Sequence, residues 1–373
     1  MMLSKEQGAF SKIRVLFVSR RTLYSSPGGD TIQLEKTAEY LRRLGVVVDI
    51  RLAGESPVAD GYDLVHFFNV IRPADILPYF SPKLKTPKLI STIYVDYSEY
   101  DKRMSNSRVI RLLGSDFREY LKVIGRRILN GERISDYRYL LMGQRRSLKM
   151  VVNQSQMLLP NSLNENNRLS RDYKINRPFR VIPNAIDHEL FAPGVAPDPR
   201  FSDAVLCVAR IEGRKNQLNL IRALNGAEYP VYIIGNSSPN HKQYYEQCKF
   251  EAAENIHFIE HIPHSSLPSV YAASKVHVLA SWFETTGLCS LEAGAMGCSL
   301  VVTDKGDQKE YFSGFAEFCA PDDVASIRRA VDAAYAAPKS SAFVELIREK
   351  YTWHCAAKQT LAAYREVLGL EEG

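Results

Sequence analysis

The chain has 373 residues, of which 45% are apolar and 24% are charged, and its net charge is +6 at pH 7. These proportions are typical of globular proteins and argue against a disordered, collagen-like or coiled-coil chain. The apolar runs are short, as at residues 276–280, and none approaches the roughly 20 residues that a membrane-spanning helix needs. Residues 1–10 include Lys5 and Glu6 and lack an apolar core, so we expect no signal peptide. The six cysteines form no C-x-x-C pair, which favours reduced thiols in a cytoplasmic protein.

Apolar runs and helical patterns alternate in the first half of the chain. Residues 13–19 predict a buried strand, after which Gly28 and Gly29 open a helix that Gly45 ends. Residues 151–159 lead into a turn where Ser162 is expected to cap a helix. Residues 183–199 contain four prolines and read as a linker. Further apolar runs of this half lie at residues 46–52, 64–68, 88–95 and 179–182.

The positive charge is concentrated in this first half. Residues 1–195 hold 31 basic and 20 acidic residues, and residues 102–149 alone hold 13 basic and 4 acidic residues. Apolar side chains recur there at helical spacing, which is typical of a helix on an anionic membrane surface. An ordinary surface helix with its apolar side in the core has the same pattern. The basic residues of this repeat are Arg118, Lys122, Arg126 and Arg127, and the apolar ones are Phe117, Tyr120, Leu121, Ile124, Ile128 and Leu129.

The second half repeats the alternation of strands and helices. Helices are predicted at residues 217–224 and 287–296, between short apolar runs typical of buried strands. Such alternation indicates an α/β chain of two domains, each with a parallel sheet covered by helices, facing each other across a cleft. Ligands bind at the carboxyl ends of such strands. The strands of this half are expected at residues 204–209, 231–234, 256–259, 276–280 and 300–303.

Both halves carry features suited to phosphate binding. Gly28 and Gly29 lie between a strand and a helix, where the backbone can approach a phosphate and the helix start offers free N–H groups, although a tight turn would also explain them. Arg210 and Lys215 flank another strand-to-helix loop and could reach one anion. Because Arg214 is adjacent, the sequence alone leaves open which cation acts.

The most informative segment is residues 281–297. Glu284 follows a strand, Gly287 begins a helix, and Glu292 lies about one and a half turns into it. The helix start is suited to a phosphate, and a carboxylate on each side is suited to sugar hydroxyls, which it accepts as hydrogen-bond donors. This unit therefore predicts a site for a nucleotide-diphosphate sugar. The favourable effect of an acidic residue on a helix dipole would explain Glu284, but it explains Glu292 less well.

This segment resembles the E-x7-E signature of retaining family-four glycosyltransferases with the GT-B fold. Residues 28–45 look like the family's amino-terminal glycine loop and helix, residues 181–191 like its interdomain stretch, and residues 209–215 like its G-R…K loop. Trp353 and the helix after it resemble the family's carboxyl-terminal segment. The resemblance implies an acceptor domain at residues 1–183, a donor domain at residues 184–354, and a last helix at about residues 355–373 that crosses back to the first domain.

The resemblance also implies residue roles. Arg210 and Lys215 would neutralise the diphosphate, while Glu284 would hold the hydroxyls of the transferred sugar and Glu292 those of the ribose. No metal or further cofactor is implied, because the cations and helix amides stabilise the leaving charge. The phosphates would lie against Gly28, Gly29, Thr286, Gly287 and Leu288, and the base against Gly235, His261 and Ile262.

The acceptor side departs from the family pattern. Tyr94 occupies a position where the family often has His, and neutral Tyr is a poor base near pH 7. Tyr94 is therefore expected to bind or orient the acceptor, with Asp96 taking part of the role. His66 also stands where the family frequently carries His, and a structural role is favoured for it.

The implied activity is transfer of a sugar from UDP- or GDP-sugar to a lipid-linked or surface-polysaccharide acceptor. Such acceptors would place the protein at the inner face of a membrane, as a peripheral contact. A sugar-nucleotide epimerase and a non-catalytic nucleotide-sugar binding protein remain alternatives. No nucleic-acid partner is expected, because no nucleic-acid-binding motif accompanies the basic residues.

Overall fold

The computed structural model describes residues 12–104, 114–130, 136–237 and 239–371. The strands are β1 (Arg14–Ser19), β2 (Val47–Leu52), β3 (Leu64–Phe68), β4 (Lys88–Ser91), β5 (Met157–Leu159), β6 (Val205–Val208), β7 (Val231–Ile234), β8 (Ile256–Ile259), β9 (Val276–Leu279), β10 (Ser299–Thr303) and β11 (Ala316–Cys319). The helices of the first half are α1 (Gly29–Arg43), α2 (Pro73–Ile76), α3 (Ser98–Met104), α4 (Ser115–Asn130), α5 (Arg138–Asn153) and α6 (Leu163–Tyr173). Those of the second half are α7 (Gln217–Leu224), α8 (Lys242–Glu251), α9 (Leu267–Ala273), α10 (Leu288–Ala295), α11 (Gln308–Phe312), α12 (Val324–Ala336), α13 (Ser341–Lys350) and α14 (Trp353–Leu368).

Strands β1 to β5 form a parallel sheet with the order β2-β1-β3-β4-β5. All of β3, and all of β1 after Arg14, are buried. Helices cover both faces of the sheet, which is why these runs are apolar throughout rather than alternating. Strand β4 ends at Ser91, short of Val95, because the backbone turns at Ile93, where φ is 47°. This turn carries Tyr94 to the edge of the sheet.

Strands β6 to β11 form a second parallel sheet with the order β11-β10-β9-β6-β7-β8. Helices α7 and α12 pack together on one face of this sheet, and α10 packs against α13 on the other side. The predicted α/β architecture of two parallel sheets is thus confirmed. Strand β11 was not predicted, because it is only four residues long and includes the charged Glu317, so it is not a continuous apolar run.

The last helix, α14, packs against α1 of the first domain. Its side chains Trp353, Ala357 and Tyr364 are buried in the same cluster as Leu34 and Leu41 of α1. The Oγ1 of Thr352 caps this helix by accepting a hydrogen bond from the Cys355 amide at 3.3 Å. The chain therefore returns to its first half after the second sheet, while the predicted limits of the two domains stay a prediction.

His66 lies in the core of the first domain, away from the space between the sheets. Its ring is fully buried, with Nδ1 2.7 Å from the Tyr364 hydroxyl and Nε2 2.9 Å from the Ser91 hydroxyl. Burial lowers the pKa of His66 to about 3. A neutral ring held by two hydroxyls joins β3 to α14 and β4, which is the role of a structural residue.

Helix α4 differs from the predicted membrane-surface helix at Arg118. The Arg118 side chain is buried and its Nη1 lies 3.3 Å from Asp101 Oδ2, so it does not belong to an exposed basic face. Phe117 and Leu121 are exposed instead, while Tyr120 turns inward and donates a hydrogen bond to the Leu140 carbonyl. The side chains of Lys122, Arg126, Arg127, Ile128 and Leu129 lie outside the described residues. Within the described ranges, no helix has the length and apolar character to cross a membrane.

Candidate active site

A cleft of 730 Å³ lies between the two sheets and is lined by both halves of the chain. Loops that follow the carboxyl ends of strands supply its walls, as expected for parallel α/β sheets. Most of the predicted donor-site residues meet there. They are Gly28, Gly29, Arg210, Lys215, Glu284, Thr286, Gly287, Leu288 and Glu292.

Lys215 and Glu284 form an ion pair inside this cleft. The Lys215 Nζ lies 2.5 Å from the Glu284 Oε1, and both side chains are largely shielded from solvent. Burial alone would lower the pKa of Lys215, but the Glu284 carboxylate outweighs this effect and holds the pKa above its ordinary value. Lys215 is therefore a fixed positive charge at neutral pH.

The loop that carries Lys215 is held from two sides. Asn216 adopts a left-handed conformation with φ of 62°, and its side-chain amide donates to the carbonyls of Ala280 and Pro321 at 2.9 and 2.7 Å. The Trp282 amide donates to the Arg214 carbonyl at 2.9 Å. These bonds join the Lys215 loop to the Glu284 loop, so the ion pair does not depend on side-chain contact alone.

Helix α10 begins directly beside the ion pair. Its N-cap, Gly287, has a φ of 67°, a conformation that glycine adopts without strain. The first N–H groups of a helix have no acceptor within it, and they concentrate positive charge at its start. Thr286 precedes this start and is fixed by the Asn184 side-chain amide, which donates to its hydroxyl at 3.1 Å.

Glu292 of α10 is paired with His264. The His264 Nε2 donates to Glu292 Oε1 at 2.8 Å. Burial raises the pKa of Glu292, although the hydrogen bond from His264 opposes the rise. The same hydrogen bond raises the pKa of His264 against the opposing effect of partial burial. Glu292 lines the cleft together with Glu284.

The two arginines that the sequence could not separate differ in their surroundings. Arg214 is paired with Glu212 at 3.0 Å, and its guanidinium lies 4.6 Å from the centre of the Tyr97 ring. Arg210 is exposed to the cleft, and no ion pair joins it to another residue in the part of the chain that the structure describes. Of these two arginines, Arg210 is therefore the one available to bind an anionic ligand.

The first domain completes the cleft at the start of α1. Gly28 is the N-cap of this helix, and the neighbouring Asp30 accepts hydrogen bonds from Arg20 at 2.6 and 2.9 Å. Burial would raise the pKa of Asp30, but Arg20 more than offsets it and the pKa is lowered. This ion pair shapes the glycine turn and fixes Arg20 in the cleft wall.

A second cavity of 310 Å³ adjoins the cleft and contains the predicted acceptor residues Tyr94 and Asp96. The Tyr94 hydroxyl donates to Asp172 Oδ2 at 3.0 Å. Burial and the nearby Asp172 carboxylate raise the pKa of Tyr94, so its hydroxyl stays neutral. The cavity and the cleft share a wall formed by Asn69, Ile71, Arg72, Val95, Tyr97 and Arg214.

Comparison with known proteins agrees with this architecture. Residues 199–348 match the family model of the glycosyl transferases group 1. Residues 199–348 thus form a domain of the group 1 glycosyltransferase type. Glycogen synthase of Mycobacterium tuberculosis is 29% identical over 199 residues, which cover 49% of this chain and 47% of that protein. The chain thus spans about half the length of the curated relatives it matches.

Solved structures extend the likeness to both domains. Sucrose-phosphate synthase from Thermosynechococcus elongatus has a TM-score of 0.72 and 17% identity, with 96% of this chain and 100% of that chain covered. The protein HepE from Anabaena, solved with UDP and glucose, has a TM-score of 0.65 and 13% identity, with 95% and 100% covered. At these identities the likeness concerns the fold, which is the predicted GT-B fold.

Three predicted donor-site residues of this group 1 domain do not line the cleft. Gly235 follows β7 with a φ of 147°, and a Cβ there would come within 2.0 Å of the Ala209 carbonyl oxygen. Glycine is therefore required at position 235, because the backbone of Ala209 lies too close for a side chain. His261 is exposed, and Ile262 packs partly against the core of the second domain. Their contact with a base stays a prediction.

Sequence reasoning missed several residues of the cleft wall. It chose His261 from the loop after β8, whereas His264, three positions later, reaches Glu292. It also passed over Arg20, which is recognisable only once the fold places it beside α1. Asn184 is the second residue of the predicted linker, and its contact with Thr286 reveals its place in the cleft. Spacing along the chain carries no signal for such contacts.

Proposed function

We propose that the chain is a retaining glycosyltransferase that moves a hexose from UDP- or GDP-sugar to a carbohydrate acceptor. The observation that carries this proposal is the Lys215–Glu284 ion pair beside the start of α10, across the cleft from the glycine turn of α1. It places positive charge, free amides and a carboxylate within one cavity. These are the groups that a diphosphate and an adjoining sugar require.

In this proposal the donor diphosphate lies between the two domains. Arg210, Lys215 and the amides of Gly287 and Leu288 face it, and Gly29 allows the backbone of the first domain to approach. Glu284 accepts hydrogen bonds from the transferred sugar, and Glu292 accepts them from the ribose. The group 1 family match and the UDP and glucose bound by HepE support a nucleotide-sugar donor. No metal or further cofactor is part of the proposal.

The reaction proceeds on one face of the sugar. The bond between the anomeric carbon and the diphosphate oxygen breaks, and its electron pair stays on the diphosphate. The acceptor oxygen forms the new bond to the anomeric carbon from the same side, and its proton passes to the departing phosphate oxygen. Lys215, Arg210 and the start of α10 stabilise the charge that develops there, which lowers the barrier.

The acceptor occupies the cavity around Tyr94 and Asp96. Tyrosine rings and carboxylates in its wall suit the faces and hydroxyls of a sugar ring. Tyr94 orients the acceptor rather than removing its proton, because its hydroxyl is held neutral by burial and Asp172. A lipid-linked or polysaccharide acceptor at the inner face of a membrane is part of this proposal, and exposed Phe117 and Leu121 on α4 support it.

A donor screen tests the proposal. The protein is incubated with UDP- and GDP-sugars, with and without candidate glycan acceptors, and released nucleotide and glycoside are quantified. Release that depends on acceptor, with the anomeric configuration retained, is the expected result. An altered free sugar without acceptor would identify an epimerase. Binding of a nucleotide sugar without turnover of any donor in the screen would identify a non-catalytic binding protein.

A further inference from the structure

Helix α6 holds a turn of the first domain from two sides. Glu165 and Arg168 lie about one helical turn apart on this helix, whose start is capped by Ser162. Glu165 is fully buried and accepts a hydrogen bond from the Tyr94 amide at 2.9 Å. Arg168 Nη2 donates to the Tyr94 carbonyl at 2.8 Å. The backbone of Tyr94 is thus fixed at both its donor and its acceptor.

This support matters because the turn is not held by a strand. Strand β4 ends at Ser91, and Ile93 adopts a φ of 47°, which is unfavourable for a β-branched residue. A turn of this kind persists where surrounding groups fix it. Asp96, two residues after Tyr94, takes its position from the same turn.

Arg168 also reaches the second domain. Its Nη1 and Nη2 donate to the two carboxylate oxygens of Asp307 at 2.7 and 3.0 Å. The guanidinium lies 4.9 Å from the centre of the Phe283 ring. The Asp307 side chain is 1% exposed and that of Arg168 is 11% exposed. A bidentate ion pair that is shielded from solvent in this way is strong and geometrically specific.

Asp307 is in turn bonded to the Glu284 loop. Its amide donates to the Glu284 carbonyl at 2.9 Å. The preceding residue, Gly306, pairs with Glu284 so closely that a Cβ there would meet the Glu284 carbonyl oxygen at 2.0 Å. The position of Asp307 therefore fixes the backbone of Glu284.

We propose that Arg168 is a positioning residue that sets the acceptor turn at Tyr94 against the donor-sugar loop at Glu284. This inference rests on the proposed glycosyltransferase function of the cleft. One guanidinium bonds the carbonyl of Tyr94 and the carboxylate of Asp307, so it determines how far the acceptor oxygen lies from the donor carbon. Misplacement of reacting groups by about 1 Å can cost about 100-fold in rate.

General attachment of the two domains does not require Arg168. The same helix contacts α11 through Glu310, whose carboxylate accepts from the amides of Leu163 and Asn164 at 2.7 and 3.0 Å. Tyr311 adds a hydrogen bond to the Asn161 carbonyl at 2.5 Å. Glu310 joins the domains without contacting Tyr94 or Glu284. Glu310→Ala is therefore a matched control for a purely structural contact.

The test compares Arg168→Lys, Arg168→Ala, Asp307→Asn and Glu310→Ala with the unmodified chain. Three quantities are measured with the best donor of the screen: sugar transfer to acceptor, donor hydrolysis without acceptor, and affinity for the nucleoside diphosphate. Lysine keeps the charge but cannot bond Tyr94 and both Asp307 oxygens together. We expect transfer kcat to fall about 10- to 100-fold in Arg168→Lys, while hydrolysis and diphosphate affinity change far less. Glu310→Ala should leave the ratio of transfer to hydrolysis unchanged.

The outcomes separate this inference from the proposed function. If the unmodified chain transfers sugar and the Arg168 and Asp307 variants keep its ratio of transfer to hydrolysis, positioning by Arg168 is wrong and the function stands. If the unmodified chain turns over no nucleotide sugar, the function fails and the inference with it. Should Arg168→Ala not fold, Arg168→Lys and Asp307→Asn decide the question, because the ratio of transfer to hydrolysis is measured on folded protein.

Discussion

The ammonium of Lys215 and the carboxylate of Glu284 lie 2.5 Å apart in the cleft, on two loops that follow neighbouring strands of the second sheet. The two groups have different proposed partners, the diphosphate for Lys215 and the transferred sugar for Glu284. Each holds the other in place before a donor arrives. Such preorganisation lowers the cost of ordering the site during the reaction.

Replacing Lys215 by alanine should lower kcat for sugar transfer by about 100-fold or more, since a preorganised charge at the leaving group is lost. The fold should persist, because the side-chain amide of Asn216 and the backbone amide of Trp282 hold the loop. Lys242→Ala, an exposed lysine on the same domain, is the control. Transfer rates at saturating donor, together with circular dichroism, provide the measurement. Unchanged turnover in Lys215→Ala would contradict its assignment.

Glu284→Ala and Glu292→Ala should impair different steps, use of the donor sugar in the first and binding of the nucleoside diphosphate in the second. Glu284→Ala should abolish use of the sugar nucleotide but keep affinity for the nucleoside diphosphate, because Lys215 remains to bind it. Glu292→Ala should weaken that affinity about 10-fold, equivalent to about 1.4 kcal/mol, through loss of the ribose contact. Titration calorimetry with nucleoside diphosphate distinguishes the two variants. Equal loss of affinity in both would refute the division of roles.

The pairing of His264 with Glu292 predicts a pH-dependent contribution to stability. Because the pKa of His264 is raised in the folded state, the folded protein binds this proton more tightly than the unfolded chain. The contribution should be present below about pH 6.5, the ordinary value for histidine, and lost as the pH rises through the folded value. At the acid end it requires ionised Glu292, whose own pKa is raised by burial. Urea unfolding of wild type and His264→Gln from pH 5.5 to 8.5 should show a difference that shrinks with rising pH.

The sequence predicted those parts of the fold and site that depend on neighbours along the chain. Strands β3 and β9 are continuous buried runs. Glu284, Gly287 and Glu292 are related by the local geometry of one loop and one helix. The contacts of Arg168 with Asp307 and of His264 with Glu292 join residues 139 and 28 positions apart. No local pattern marks such pairs. The burial of Arg118 is likewise accompanied by an ion pair with Asp101 of another helix, which the spacing of residues within α4 does not reveal.

Gly235 should matter for folding. Gly235→Ala combines an unfavourable φ with a collision against the Ala209 carbonyl, which we expect to cost about 3 kcal/mol of unfolding free energy. Gly45→Ala is the matched control, because its φ is also positive but no atom lies within 4 Å of the added Cβ. It should cost about 1–2 kcal/mol. Urea titrations measure both. A Gly235→Ala protein of unaltered stability but lower nucleotide affinity would instead support the predicted contact with the base.

Membrane contact through α4 should depend on the exposed apolar side chains of this helix. Phe117 is 49% exposed and Leu121 is 43% exposed on this helix, whereas Arg118 is buried. Phe117→Ser together with Leu121→Ser should reduce sedimentation of the protein with vesicles that contain anionic lipid, because apolar burial and charge act together in such binding. Phe250→Ser removes a 90% exposed ring from α8 of the second domain and should leave binding unchanged. Equal sedimentation of all variants would exclude α4 as the contact.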